Sequence, residues 1–319
     1  MGAPAKELYL GVDGGGSRTR ALIAGPDGPV LGAGNGPASN HYGVGVEGAM
    51  DAVAEAIAAA AAQAGLGADV ELRAACFGLA GVNRPVDEQV LRRALGERGF
   101  APRFEVVNDV ELVLAAGTGG GWGIALVAGT GSICHGKTPD GRKARAGGWG
   151  YILGDEGSGY SIASQALRLA TQTADGRAHA PGLLAEVLHH WDLEEPEQLL
   201  GRVYRRDTTI GQIAALASRI LPLAEQGDAA AIDLVDRAAA QLAQLVDVVA
   251  EQLATEQPPP LALAGGVLRS SARMRSELTR QARTALGPTT VVTCPAEGAL
   301  LLARRLTPGS AHAPDTHRS

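Results

Sequence analysis

Residues Leu8–Thr19, LYLGVDGGGSRT, decide how the rest of the chain is read. Leu8–Val12 is an apolar run long enough for one buried strand. It stops at Asp13, followed by Gly14, Gly15, Gly16 and Ser17. A second apolar run, Arg20–Ala24, comes at once, so the stretch predicts a β-hairpin closed by a glycine turn. With no Cβ on three successive residues, backbone N–H groups can approach an anion closely. Asp13, fixed at the strand end, is placed to orient water on a divalent cation beside that anion. A glycine turn with a solvated aspartate explains the same letters, so the stretch gains weight only from partners downstream.

Working outward, Pro26-Asp27-Gly28 marks a turn and Val30–Ala33 a third strand. After the loop Gly34–Asn40, GNGPASN, the spacing predicts a helix over Val46–Gly65, a strand over Leu72–Leu79, a helix over Pro85–Arg98, a strand over Phe104–Val107 and a short helix over Val110–Ala116. About 120 residues after the first hairpin the theme returns. Trp122–Ala128 is a strand, Gly129-Thr130-Gly131-Ser132 its turn, Ile133–Gly136 the next strand and Arg142–Ala146 a third. Next come a glycine-rich loop, Gly147–Gly159, and helices at Tyr160–Thr171, Ile210–Gln226 and Ala229–Gln257, with mixed structure over Asp175–Arg206. A strand at Leu261–Ala264, a helix at Met274–Ala285, a strand at Thr290–Thr293 and a helix at Glu297–Leu306 complete the series. The tail Pro308–Ser319 is expected to be disordered. Two similar α/β halves facing each other would bring both turns to a shared cleft, where such proteins bind ligands.

Composition bounds the class. The chain has 319 residues, 45% hydrophobic and 19% charged, as in a soluble globular protein of one large or two ordinary domains. Its net charge of −6 and lack of a long basic run argue against nucleic acid or a membrane surface as partner. Glycine, at 44 residues, is about twice the usual share, and its clustering favours backbone-lined ligand loops. Cys76, Cys134 and Cys294 are too few and too scattered for a disulfide framework or a CxxC metal site. The histidines show no metal spacing. The start MGAPAKELYL lacks an apolar signal core and no run is long enough to span a bilayer, so a cytoplasmic protein is expected.

Two pattern matches are rejected. Gly131–Thr138, GSICHGKT, fits the Walker P-loop, but Pro139-Asp140-Gly141 puts a turn where the helix must begin. Gly43–Gly48, GVGVEG, fits the dinucleotide fingerprint but does not directly follow a strand. The better phosphate candidates are Gly14–Ser17 and Gly129–Ser132, each able to present amides and a hydroxyl. Gly265 and Gly266, between a strand and a helix, offer bare backbone to an adenine or ribose, though close packing explains Gly265 equally well. Asp109, ahead of a helix, is either an N-cap or a general base. Asp155 and Glu156 either bind sugar hydroxyls or cap the Tyr160 helix. Asn40 is a turn residue or a polar ligand contact, and Trp149 covers a sugar face or its own loop.

GVDGGGSRT, VNDV, VAGTGSI, GGWGYILGDEGSG and LAGGV, in this order, resemble the BadF/BadG/BcrA/BcrD-type ATPases and, within them, the N-acetylglucosamine kinases of the superfamily of sugar kinases, chaperone ATPases and actin. The resemblance covers about Leu8–Leu306 and is most specific in GGWG…GDEGSG. It implies an α/β protein of two ribonuclease-H-like, actin-like ATPase domains, 1–114 and 115–306, with ATP and sugar in the cleft between them. The last helix is allowed to pack back on the first domain, and a tail follows over 307–319. It implies that Asp13 holds Mg²⁺ through water. Gly14, Gly15, Gly16, Ser17 and Thr19, with Gly129, Thr130, Gly131 and Ser132, would serve the phosphates, and Gly265 and Gly266 the adenosine. Asn40, Gly148, Trp149, Asp155 and Glu156 would serve the hexose, with Asp109 accepting the proton of its 6-hydroxyl. The implied partner is a small amino sugar, glucosamine or an N-acetylated relative, with a homodimer as an option. The chain departs from the family at Ala80, often serine in amino-sugar kinases, and at Ile133, asparagine in the mammalian type. Both changes remove hydrogen bonds available to an N-acetyl group. Two rival readings are an ATPase activator of an acyl-CoA dehydratase or reductase, which needs cluster-binding cysteines, and a non-catalytic sugar sensor.

Overall fold

The computed structural model describes residues 7–67, 71–82 and 84–307; the expected tail at 308–319 lies outside them. The chain divides into two compact units, one built from the first 119 residues together with those from Cys294 onward, the other from Gly120–Thr293.

The first unit opens with the hairpin: β1 (Tyr9–Gly14) pairs antiparallel with β2 (Thr19–Ala24), which pairs with β3 (Val30–Gly36). Then follow α1 (His41–Gln63), β4 (Ala74–Leu79), α2 (Pro85–Arg98), β5 (Phe104–Asn108) and α3 (Asp109–Gly117). The strand order is β3-β2-β1-β4-β5, with β4 and β5 parallel to β1, the arrangement of a ribonuclease-H-like sheet. One face is covered by α1 and α2, burying Leu10, Val12, Ile23, Met50, Val53, Phe77, Leu91 and Leu95.

The second unit repeats the plan. Its strands β6 (Gly123–Ala128), β7 (Ser132–Lys137) and β8 (Lys143–Gly147) form the meander. Helices α4 (Gly159–Ala174), α5 (Pro181–His190), α6 (Gln198–Val203), α7 (Ile210–Ala214), α8 (Ala217–Glu225) and α9 (Ala229–Leu253) precede β9 (Leu261–Ala264). Then come α10 (Gly266–Ser270), α11 (Ala272–Gln281) and β10 (Thr289–Val291). Strand order is β10-β9-β6-β7-β8, with β9 parallel to β6. The last helix, α12 (Pro295–Arg305), belongs to the first unit. There Ala296, Ala299, Leu300 and Ala303 cover Tyr9, Leu22 and Cys76 on the sheet face opposite α1. Tyr9 and Thr307 share a buried 2.9 Å hydroxyl–hydroxyl bond.

Three local readings needed correction. The helix expected over Ile210–Gln226 is two helices, because Leu216, Ser218 and Arg219 donate to carbonyls three residues back, tightening the turn between them. Gly266, placed between the strand and the next helix, opens a short helix of its own, Gly266–Ser270. The helix read from Val46 is preceded by one extra turn, residues 41–44, set off by Gly45 at φ 73° and ψ 169°. Among the described residues no helix is long and apolar enough to cross a membrane.

Candidate active site

In the first unit the chemistry gathers at the C-terminal ends of β1, β4 and β5. In the sheet register Asp13 lies beside Gly78 on β4, and Gly78 beside Val107 on β5. The β1–β2 turn is tied on both sides: Ala80 N–H donates to the Gly14 carbonyl at 2.7 Å and Ser39 N–H to the Gly15 carbonyl at 3.0 Å. Thr19 is fully buried and its hydroxyl donates to the Pro37 carbonyl at 2.7 Å, with the Ser39 hydroxyl 2.8 Å away. Thr19 therefore anchors the loop to Asn40, while Gly16 and Ser17 stand exposed at the tip.

Asp109 is relieved of the capping role. Asn108 is the N-cap of α3, its Oδ1 accepting from Val110 N–H at 3.1 Å, and its Nδ2 donates to the Val82 carbonyl at 2.9 Å. Asp109 is thus the first helical residue and not the cap. Burial pushes it up to about 6, against the downward pull of the Val110 and Asp109 amides. Asp13 is pushed up to about 7, first by burial and then by the charge of Asp109, with Arg18 and Arg20 pulling the other way. The charge of Asp109 is thus felt at Asp13, which ties the two carboxyls to one site. Such a pair fits a hard cation approached through water. Among the described residues no group of three or more His, Cys, Asp or Glu side chains forms a closed metal cage.

In the second unit the loop Gly147–Gly159 folds over the β6–β7 turn. Asp155 adopts φ 59°, and its buried carboxylate lies over Gly131 and accepts from Ser132 N–H at 3.3 Å. Burial raises Asp155, while the Ser132 and Gly150 amides lower it. The capping role considered for Asp155 and Glu156 belongs to Ser158, whose Oγ accepts from Ser161 N–H at 3.2 Å. Ser132 Oγ donates to the Glu156 carbonyl at 2.8 Å, so both its polar groups serve the loop, and Thr130 is the exposed residue of the turn. Gly148 N–H donates to the Ser132 carbonyl at 2.9 Å, and Ile133 packs under Gly148. Trp149 lies along Gly154 of its own loop yet is 70% exposed. Arg145, which sequence reading missed, donates to the Gly148 carbonyl at 2.8 Å and stacks its guanidinium over the Trp149 ring at 5.6 Å. Gly265 sits at φ 95°, and a Cβ there would meet the Ala128 carbonyl at 2.2 Å, so close packing demands the glycine; Gly266 faces open space.

The rejected P-loop match is a strand: Lys137 ends β7 and Thr138 opens a tight turn in which Gly141 N–H returns to the Thr138 carbonyl. With this geometry in view, the comparisons decide the family. The model of the BadF/BadG/BcrA/BcrD ATPase family matches residues 10–303.

The chain belongs to the BadF/BadG/BcrA/BcrD ATPase family.

Within this ATPase family the chain is similar to the N-acetylmuramic acid/N-acetylglucosamine kinase of Clostridium acetobutylicum. It is 34% identical over 266 residues, 83% of this chain and 86% of that one. It is 30% identical to the N-acetyl-D-glucosamine kinase of Dictyostelium discoideum, over 82% of this chain and 86% of that one. A protein solved as a candidate N-acetylglucosamine kinase from Chromobacterium violaceum superposes with a TM-score of 0.75 at 30% identity, over 94% of this chain and 99% of that one. The expected α/β, ribonuclease-H-like fold of the BadF-type ATPases is thus the fold found.

Proposed function

We propose that the protein is an ATP-dependent kinase of an amino sugar, of the N-acetylglucosamine or glucosamine class, transferring phosphate to the 6-hydroxyl. One observation carries this reading: Asp13 and Asp109 are two half-buried carboxylates, both raised by desolvation and the first also by the charge of the second, beside an exposed glycine tip, and Asn108 rather than Asp109 caps α3. A base whose pKa lies near 6 is matched to taking a hydroxyl proton at neutral pH. In this reading Asp109 orients the attacking hydroxyl and takes its proton as the oxygen–phosphorus bond forms, and ADP leaves with the bonding pair. Gly16, Ser17, Thr130 and Gly131 present amides to the phosphate oxygens, whose charge spreads in the transition state. Asn40, Gly148 and Asp155 are the hexose contacts, Trp149 an apolar face for it and Glu156 a rim carboxylate. Gly266 borders the adenosine. Asp13 would hold a magnesium ion, which would supply neutralisation of phosphate charge.

The relatives named for N-acetylglucosamine and N-acetylmuramic acid support an amino sugar as acceptor. A kinase named for glucosamine from Vibrio cholerae, 28% identical, keeps the unacetylated sugar in play. Cys76 and Cys134 are buried within β4 and β7 and Cys294 is half-buried, so the cysteines offer no accessible pair, which disfavours the cluster-bearing activator. The test is a coupled ADP-release assay over glucosamine, N-acetylglucosamine, N-acetylmannosamine, N-acetylmuramate and glucose. Turnover highest with an amino sugar is expected; no sugar-dependent ADP release from any of them sinks the reading.

A further inference from the structure

We propose that Asp87 is a positioning residue of the sugar subsite, fixing the turn that carries Asn40 by holding Tyr42 and His41. The inference rests on the kinase reading above and adds to it a residue that no motif contains.

The turn at residues 41–44 needs an external anchor. Gly45 breaks the helical dihedrals, so this turn is not a rigid extension of α1. Its own bonds are local: Gly43 and Val44 N–H groups donate to the Asn40 carbonyl, and Tyr42 N–H donates to Asn40 Oδ1 at 3.1 Å. Tyr42 then reaches away from the site. Its hydroxyl donates to Asp87 Oδ1 at 2.8 Å and accepts from Arg84 Nη2 at 2.6 Å. Arg84 closes the cluster, its backbone N–H and Nε each donating to Asp87 Oδ2 at 3.1 Å and Nη2 to Oδ1 at 3.0 Å. One residue, Tyr42, thus binds the Asn40 side chain through its amide and Asp87 through its ring.

His41 adds a second route. Its side chain is 9% exposed, with Nε2 3.9 Å from Asp87 Oδ1. Its Nδ1 is buried and finds no hydrogen-bond partner. Gly81, at φ 91°, lies against it: a Cβ there would sit 3.0 Å from Asn40 Oδ1 and 3.1 Å from His41 Nδ1. The Asp87 cluster at the start of α2 therefore sets the distance between the Asn40 turn and the strand-end loop at residues 79–82. That loop also receives Asn108, the neighbour of Asp109.

Capping explains part of this arrangement: Asp87 accepts from the Arg84 N–H at the start of α2, where a negative charge is stabilising. Capping requires neither the Tyr42 hydroxyl on Asp87 Oδ1 nor the orphaned His41 nitrogen, and a buried unpaired nitrogen is a loss that makes sense where it holds a ligand contact in place. The Arg84 bonds, with help from Tyr42, keep Asp87 down at about 2, so its charge persists across all working pH.

The experiment compares wild type, Asp87→Asn, Tyr42→Phe and the double variant in steady-state kinetics, with N-acetylglucosamine and glucosamine varied at saturating MgATP and MgATP varied at saturating sugar. Asp87→Asn is expected to raise the sugar KM about tenfold, while kcat and the ATP KM stay within about twofold. Tyr42→Phe, at a ring that is 59% exposed and safe for folding, should raise it about threefold. The double variant should be no worse than Asp87→Asn, because both cut one path. Unchanged sugar KM in Asp87→Asn and Tyr42→Phe, or equal losses in both KM values and kcat, overturns the positioning role while wild-type turnover leaves the kinase reading standing. A wild type that phosphorylates no amino sugar overturns that reading, and this inference with it.

Discussion

The two units carry the same strand–turn–strand device and use it differently. In the first, the β1–β2 turn is held from behind by Ser39 and Ala80, its tip is bare, and the carboxylate at the strand end is destabilised by burial and by Asp109. In the second, the β6–β7 turn is gripped by the loop that follows it, through Asp155 on Ser132 N–H and Ser132 on Glu156. Beside the first turn stand two carboxyls that desolvation holds above the ordinary carboxylate range. The second is a braced platform whose polar groups are mostly satisfied. A repeated fold motif therefore fixes where a loop emerges, and the tertiary neighbours decide whether it is reactive or rigid.

This contrast can be broken or sharpened by four measurements. The largest effect is expected from Asp109→Asn, which should lower kcat by about 10²–10⁴-fold with ATP binding retained, as a lost general base does. The same change should stabilise the ligand-free protein. With its folded pKa raised above the ordinary carboxylate value, Asp109 binds a proton more readily in the native state, so stability falls as pH rises from about 4 through about 6. Removing the charge should return about 1–3 kcal/mol at pH 8 and almost nothing at pH 4, read by denaturant unfolding at both pH values. An Asp109→Asn protein no more stable than wild type at pH 8 would show that Asp109 is not held above the ordinary carboxylate range. Next, kcat/KM should climb roughly tenfold per unit on the acid side and level off above the window of about 6 to about 7 set by the pair. Added Mg²⁺ should move that limb to lower pH, since a cation favours the ionised form. A flat profile from pH 5 to 8 would detach the pair from turnover.

Smaller effects belong to the braced turn. Asp155→Ala strands the amides of Ser132 and Gly150 and puts a Cβ-bearing residue with no side-chain acceptor at φ 59°, so a loss of about 2–4 kcal/mol is expected in unfolding. Asp155→Asn keeps an acceptor and tolerates that backbone, and should cost less than half as much. Ser132→Ala removes one neutral hydrogen bond and should cost about 1 kcal/mol. Equal losses for Asp155→Ala and Asp155→Asn would mean that charge, not bracing, is the contribution of Asp155.

Much of the scaffold was legible in the chain itself. Apolar runs ending at Asp13 and Ala128, and the glycine turns after them, set the two meanders, because a buried strand needs an uninterrupted apolar face and a tight turn needs small residues. Pro139-Asp140-Gly141 correctly ruled out a P-loop at Gly131–Thr138 for the same local reason. Division of labour between neighbours was not legible. Asn108 and Ser158 take capping roles that Asp109 and Asp155 were equally suited to by type and position. Arg145, Thr19 and Asp87 act through partners whose proximity the letters do not encode.

Sequence by itself determined the strand–turn–strand repeats, the glycine tips and the residues available at them, since these depend on local periodicity and backbone freedom. Only the tertiary structure decided that the charge of Asp109 reaches a half-buried Asp13, and that Asp155 is fastened to a turn. It also tied Asp87, through Tyr42, to Asn40. Electrostatic cost and hydrogen-bond competition are set by which groups burial brings within a few ångströms, and that is a property of the folded chain.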